Sequence, residues 1–391
     1  MTHLIYFIYF LIIVSFVDTF SQLPIMSPYA QGLGASAVMI GIIVGMYSFS
    51  NVLGNMISGI YIDRKGINGI LGVGLLLTGV LLLFYAFVTS PVQLLVLRFF
   101  HGLTGGLLVP AAFTYLANQK AGKKKGKVMA LSGAGVGMAS IIGPAYGGII
   151  SSNFGADTVF VSIGILMIVT AVLAYFVLPE KEAEPTAQPV QEDIPESGID
   201  VLFKRPGLQL SYLGAFSLMF AQGILAYALP LQVEALGFDS SLSGILLSTF
   251  AIVATLIFVL PTNRLYDRFS YATTLMTGLL ILSLALILLE FVTVQSLMFA
   301  VMAIYGVGFA LIFPSMTAMV ANNTNATRRG KAYGLFYGFF SLGVVAGSFV
   351  TGLFSETTIG VFSVGTIWLL ISVFGMWQIY RRHSRVSVSY V

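Results

Sequence analysis

Twelve stretches of 18 or more residues in this chain carry almost no charge, and each is long enough as a helix to cross a hydrocarbon core about 30 Å thick. Backbone polar groups in lipid must be satisfied within the protein, so such a pattern confines the chain to helices. The expected cores are residues 4–26, 37–61, 69–89, 93–117, 128–151, 158–178, 208–232, 242–265, 271–292, 295–320, 332–354 and 359–380. Composition agrees: 57% of residues are hydrophobic, 9% are charged and the mean hydropathy is +0.95, outside the soluble range.

The twelve spans are two sets of six. Sliding the sequence over itself by 204 residues sets Asp63-Arg64 on Asp267-Arg268, Gly102 on Gly306, Pro110 on Pro314, Gly126-Lys127 on Gly330-Lys331, Gly143 on Gly347 and Gly148 on Gly352. A duplicated unit of about half the chain explains that register. The expected fold is an all-α integral membrane protein with twelve transmembrane helices in two pseudo-symmetric six-helix bundles. The expected domains are residues 1–179, a linker at 180–207, residues 208–380, and a tail at 381–391. The linker combines Glu180, Glu182, Glu184, Glu192, Asp193, Glu196 and Asp200 with Pro185, Pro189, Pro195 and Pro206. It cannot bury a core and reads as a flexible tether.

Lysine and arginine set the expected topology, since cytoplasmic loops retain them. Of the 19, Arg98 lies at membrane depth, and the other 18 sit on one side, at or beyond the ends of even-numbered spans. Both termini are therefore expected in the cytoplasm, with the chain in the cell membrane. The opposite loops carry only acids such as Asp157, Glu234, Asp239, Glu290 and Glu356. The net charge of +4 reflects this topology and gives no support to nucleic-acid binding.

Four local patterns lead elsewhere and are set aside. Residues 1–26 lack a basic first segment and an Ala-x-Ala site, so an uncleaved first helix is expected rather than a signal peptide. Asn322 and Asn325 match glycosylation acceptors but fall in a loop expected to be cytoplasmic. Gly133-Ala-Gly135-Val-Gly137 mimics a dinucleotide loop without the strand such a loop requires. The chain has no cysteine, which removes disulfides and thiolate metal sites.

Three motifs carry a family resemblance. The loop after the second span reads Gly59-Ile-Tyr-Ile-Asp63-Arg64-Lys65-Gly66, the fourth span holds Arg98-Phe-Phe-His101-Gly102, and the fifth holds Gly135 followed by Gly143-Pro144-Ala-Tyr-Gly147-Gly148. These resemble the signatures of the major facilitator superfamily, and the third resembles that of its twelve-helix drug:proton antiporters. The resemblance spans the whole chain. It implies alternating access between two bundles, a gate at Asp63, and a central cavity lined by spans 1, 4, 7 and 10.

The same residues also have physical readings. Asn51, Asn55, Gly59 and Asp63 recur at four-residue steps, so Asp63 at the end of its helix is placed to latch onto the positive N-terminus near Gly330 and Lys331. Gly135, Ala139, Gly143 and Gly147 form a small-residue stripe that admits another helix closely, and Pro144 is expected to kink or loosen its own. Gly343, Gly347 and Gly352 repeat the small residues, with Ser348 in the place of Pro144.

Charges at membrane depth cost about 2.5 to 3.5 kcal/mol each on insertion scales and mark pathways or relays. Two stand out, Asp18 in span 1 and Arg98 in span 4, at matching depth. An Asp18–Arg98 ion pair is expected, with Asp18 taking up and releasing a proton and Arg98 tuning it. His101, where the family usually carries Gln, joins as a relay or wall residue. Gln22, Gln222, Tyr227, Tyr305, Phe309 and Phe313 are the expected substrate wall, suited to an amphipathic or lipophilic ligand.

The function expected is therefore export of small, amphipathic or hydrophobic, drug-like compounds in exchange for protons. The proton gradient would supply the energy, with no cofactor, and the protein would act as a monomer. Export of one endogenous metabolite by the same machinery is the alternative, and a non-transporting membrane sensor is the third. No nucleophile–base pair or metal-ligand cluster appears at membrane depth, which argues against an enzyme. The repeat leaves this chemistry single, because Asp18 maps to Gln222, Arg98 to Met302 and His101 to Tyr305.

Overall fold

The computed structural model describes residues 2–65, 67–118, 125–178, 200–259, 269–324 and 326–388. Those residues are helical throughout, with connecting turns, and twelve helical segments are long and apolar enough to cross a membrane. The all-α, twelve-span architecture read from the sequence is the one observed.

By their internal contacts the helices divide into two units, Met1–Val190 with Leu229–Ser248, and Gln191–Ala228 with Thr249–Val391. The first contains α1 (Thr2–Ser21), α2 (Met26–Gly32), α3 (Ala37–Lys65), α4 (Ile67–Phe84) with a 3-10 turn (Tyr85–Phe87), α5 (Pro91–Gly105), α6 (Leu108–Asn118), α7 (Lys125–Phe154) and α8 (Ala156–Val177). After α9 (Asp200–Lys204) come α10 (Pro206–Ala235), α11 (Ser241–Val259), α12 (Tyr271–Phe291), α13 (Gln295–Asn322), α14 (Ala326–Phe354) and α15 (Val361–Val388). The distal end of α10 and the start of α11 group with the first unit.

Local chemistry sets several boundaries. Pro24 lacks an N–H, and α1 stops at Ser21, so the span expected to run to residue 26 ends in a turn that leads to the short α2. Ser90 caps α5 by accepting a hydrogen bond from the Gln93 N–H at 3.4 Å, with Pro91 in the first turn. Gly155 at φ +87° turns the chain between α7 and α8. The fourth span is broken between α5 and α6 at Gly106 and Leu107. The linker through residue 199 lies outside the described residues, whereas residues 200–204 form α9 and the tail begins inside α15.

In the first unit α1 packs on α7, α3 on α5, and α4 on α8. The small-residue stripe of α7 explains the first pairing. A Cβ at Gly135 would meet Ile13, one at Gly143 would meet Phe20 and Ser21, and one at Gly147 would collide with the Ser21 carbonyl. Gly148 faces the segment that groups with this unit, its Cβ position lying 3.0 Å from Gly244 Cα. Pro144 sits inside an uninterrupted α7, and its carbonyl faces Gly244. Ser248 adds a hydrogen bond from its Oγ to the Ile141 carbonyl at 2.7 Å. Between α3 and α5, Gly102 admits Tyr47 and Ser50, while Gly54 and Gly106 let the backbones touch.

The second unit repeats the device. A Cβ at Gly343 or Gly347 would strike the carbonyls of Phe216 or Phe220, and one at Gly223 would strike that of Val344. Gly306 approaches Phe250 as Gly102 approaches Tyr47. Beyond the helix ends, Glu290 Oε2 accepts hydrogen bonds from the N–H groups of Phe362 and Ser363 at 2.9 and 3.1 Å, capping α15 from a neighbouring helix.

Two expectations follow. Gly147→Val has no room against Ser21 and should cost about 1 to 3 kcal/mol, read as a lower melting temperature in detergent, whereas Gly133→Ala meets nothing within 4 Å and should be neutral or stabilising. Equal destabilisation by both would contradict the packing account. Asp239 accepts hydrogen bonds from Ser152 Oγ at 2.7 Å and from the Ser241 N–H at 2.8 Å, and these hold its carboxyl below the usual carboxylate range. A depressed folded-state value means the contribution is present above the ordinary carboxylate pKa and is lost as pH falls through the folded value. The stability difference between wild type and Asp239→Asn should therefore be seen at neutral pH and vanish in acid.

Candidate functional site

A closed set of polar side chains lies inside the first unit, between α1 and α5. Asp18 is 1% exposed, His101 0% and Arg98 6%. The direct contact that forms is Asp18 with His101, Oδ2 to Nε2 at 3.1 Å. Arg98 reaches Asp18 through Gln22: its guanidinium donates to Gln22 Oε1 at 2.5 Å, and Gln22 Nε2 donates to Asp18 Oδ1 at 2.7 Å.

That arrangement corrects two expectations. The direct Asp18–Arg98 pair is replaced because the two segments run antiparallel, so Asp18 faces His101 while Gln22 faces Arg98 one turn further along. Gln22, expected on the substrate wall, is 3% exposed and has both ends of its amide engaged, so it bridges the charges instead. An arginine only donates and an ionised carboxylate only accepts, so the Gln22 amide has one workable orientation.

Two tyrosines that sequence reading passed over complete the site. Tyr85, 0% exposed in the 3-10 turn that ends the third span, places its hydroxyl 3.0 Å from His101 Nδ1. Tyr29 Oη donates to the Tyr85 backbone carbonyl at 2.8 Å, and Phe160 stacks on the Tyr85 ring at 4.3 Å, so backbone and ring are each held. Tyr47 lies beneath the Arg98 guanidinium, 4.9 Å from ring centroid to Cζ, and meets the His101 ring edge-on at 5.1 Å. Arg98 also donates weakly to the Ile43 and Val44 carbonyls at 3.4 and 3.5 Å. Both tyrosines look in sequence like ordinary aromatics of an apolar helix, so nothing local singles them out.

In the second unit Tyr305, Phe309 and Phe313 share one face of α13, as their four-residue spacing dictates. Tyr305 is fully buried, donates to Gln222 Oε1 at 3.2 Å and meets Phe250 edge-on at 5.4 Å. Phe309 and Phe313 are half-buried and stack with their planes 4° apart. Tyr227 is buried and lies about 140° around α10 from Gln222, so those two do not share a face.

The gate motif is only partly in view. Gly59, Asp63 and Arg64 belong to the last turns of α3, but their side chains and the whole of Gly66 lie outside the described residues. Among the described residues no group of three or more His, Asp or Glu side chains is arranged to hold a metal ion.

The bridging role of Gln22 has a measurable consequence. Gln22→Leu should destabilise the protein by about 1 to 3 kcal/mol, because it strands a guanidinium and a carboxylate oxygen. Arg98→Met should then cost less in that background than in wild type, with about 1 kcal/mol or more of coupling in a double-mutant cycle of melting data. Additive effects would show that the amide carries no interaction between the charges.

Comparison with known proteins agrees with this architecture. The family model described as Major Facilitator Superfamily matches residues 8–220 and 211–389. An uncharacterized MFS-type transporter of Methanocaldococcus jannaschii is 26% identical over 343 residues, 85% of this chain and 86% of that protein. Multidrug resistance protein 2 of Bacillus subtilis is 24% identical, covering 89% of this chain and 88% of that protein. The multi-drug resistance efflux pump PmrA of Streptococcus pneumoniae is 25% identical and covers 85% of each. Among solved structures, a bacterial homolog of the human lysosomal transporter Spinster superposes with a TM-score of 0.80 at 15% identity over 97% of both chains. The nucleoside transporter NupG gives 0.77 at 16% identity, covering 96% of this chain and 99% of that one. The chain belongs to the major facilitator superfamily and is a multi-pass membrane transporter of small molecules, not an enzyme.

Proposed function

We propose that this transporter is a drug:proton antiporter of the cell membrane, exporting small amphipathic or hydrophobic compounds by alternating access. The observation that carries the proposal is the buried Asp18–His101 pair, a titratable couple enclosed at membrane depth on the fourth and first spans. Such groups are costly to keep in lipid and are retained where they work. A proton taken up on one side and released on the other, down a potential of 100 mV, supplies about 2.3 kcal/mol. That amount is sufficient to bias an exchange cycle toward export.

The second unit supports the choice of substrate class. The half-buried Phe309 and Phe313 rings offer stacked apolar surface, and Gln222 beside Tyr305 offers a hydrogen-bonding amide. The relatives named for multidrug resistance favour the same class. Proton handling in this reading belongs to the first unit, since the counterparts of Asp18, Arg98 and His101 in the repeat are uncharged Gln222, Met302 and Tyr305.

Everted vesicles test it. Imposing a proton gradient should drive accumulation of lipophilic dyes or drugs, and Asp18→Asn should abolish the gradient-dependent part while leaving the protein in the membrane. Full proton-driven flux in Asp18→Asn would sink the coupling mechanism. Gradient-driven flux of one metabolite alone, with no response to a lipophilic panel, would replace polyspecific export with a dedicated exporter.

A further inference from the structure

We propose that Tyr85 is a positioning residue for the proton site: it directs its hydroxyl hydrogen at His101 Nδ1, so that the unprotonated site carries the imidazole proton on Nε2, facing Asp18. This inference rests on the proton-coupling reading and deepens it, by saying where the protons sit and what must move when one arrives.

The direction of each hydrogen bond follows from what each group can do. A guanidinium can only donate. One arm runs from Arg98 to Gln22 Oε1 and from Gln22 Nε2 to Asp18 Oδ1, so that carboxylate oxygen accepts. The other arm runs through His101. In the unprotonated site Asp18 is a carboxylate and only accepts, so the neutral ring holds its proton on Nε2 and donates it to Asp18 Oδ2 at 3.1 Å. The bare Nδ1 then accepts, and the group within reach is the Tyr85 hydroxyl at 3.0 Å, which must donate. Both arms end on Asp18.

An arriving proton has no free place in that network. On Asp18 Oδ1 it faces the Gln22 amide hydrogens. On Asp18 Oδ2 it faces the Nε2 hydrogen, unless the imidazole proton shifts to Nδ1. On Nδ1 it faces the Tyr85 hydroxyl hydrogen, so Tyr85 must rotate its hydrogen away and accept from His101. Proton uptake therefore reverses the hydrogen bond between Tyr85 and His101. The charged and titratable groups around His101 among the described residues are Asp18 on α1, Tyr47 on α3, Tyr85 after α4, and Arg98 on its own helix. Tyr85 alone contacts Nδ1 through a hydrogen bond in this set, and the Tyr29 bond to its carbonyl with the Phe160 stack keeps its ring in place.

The test uses the full-length protein in lipid nanodiscs, 15N-labelled at histidine. The chain has three histidines, so replacing His3 and His383 by Gln leaves His101 as the single reporter. The expected spectrum of the unprotonated site shows a protonated Nε2 and a bare, hydrogen-bonded Nδ1. Tyr85→Phe removes the hydrogen-bond partner of Nδ1, so the Nδ1 resonance should move and the pH profile of gradient-driven export should shift with it. A wild-type ring protonated on Nδ1 would overturn the proposal without any variant, as would an unchanged Nδ1 resonance and pH profile in Tyr85→Phe. Failure of the coupling reading is separate: it is read from Asp18→Asn flux, which the tautomer of His101 does not enter.

Discussion

Holding a carboxylate and a guanidinium together inside an apolar bundle is the constraint on which the rest of this structure depends. Either charge alone at membrane depth would cost several kcal/mol. The chain meets that cost with a hydrogen-bonded network whose two arms meet at Asp18: Arg98 to Gln22 to Asp18 on one, and Tyr85 to His101 to Asp18 on the other. A half-satisfied network of this kind would be worse than an apolar core. The helices carrying these residues must therefore be positioned accurately against one another.

Glycine packing supplies that positional accuracy. Gly143 and Gly147 bring α7 onto the end of α1 at Phe20 and Ser21, immediately beyond Asp18. Gly102, the neighbour of His101, lets α5 sit against Tyr47 and Ser50 of α3, which brings Tyr47 under Arg98. The motif glycines and the polar network are thus one construction, with close backbone contacts holding the Asp18, His101 and Arg98 side chains in place. Without a hydrophobic driving force between helices in lipid, such contacts are also a principal source of association.

The duplicated scaffold uses the same packing for a different end. Gly343, Gly347 and Gly306 reproduce the close approaches in the second unit, yet the positions of the charged ring are occupied by Gln222, Met302 and Tyr305. Tyr305 and Gln222 still hydrogen-bond to each other, and Phe250 meets the Tyr305 ring and also the first ring of the Phe309–Phe313 stack. Duplication preserved the helix contacts and let the polar centre diverge.

Sequence by itself determined the class of fold, because apolar span length and the 204-residue register leave few alternatives to two six-helix units. It also singled out Asp18, Arg98 and His101, since charge inside an apolar span is visible without coordinates. The partners were decided only by tertiary structure. Opposite charge at equal depth favours Asp18 with Arg98, but the antiparallel register of the two segments opposes Asp18 to His101 and inserts Gln22. Tyr85 lies on a third segment, remote in sequence and chemically like any other aromatic in an apolar run, and only the packing of α4 and its terminal turn against α5 brings its hydroxyl to the imidazole. Local pattern reports which groups are expensive to bury, whereas the pairing that makes them affordable depends on helix register, which no single span encodes.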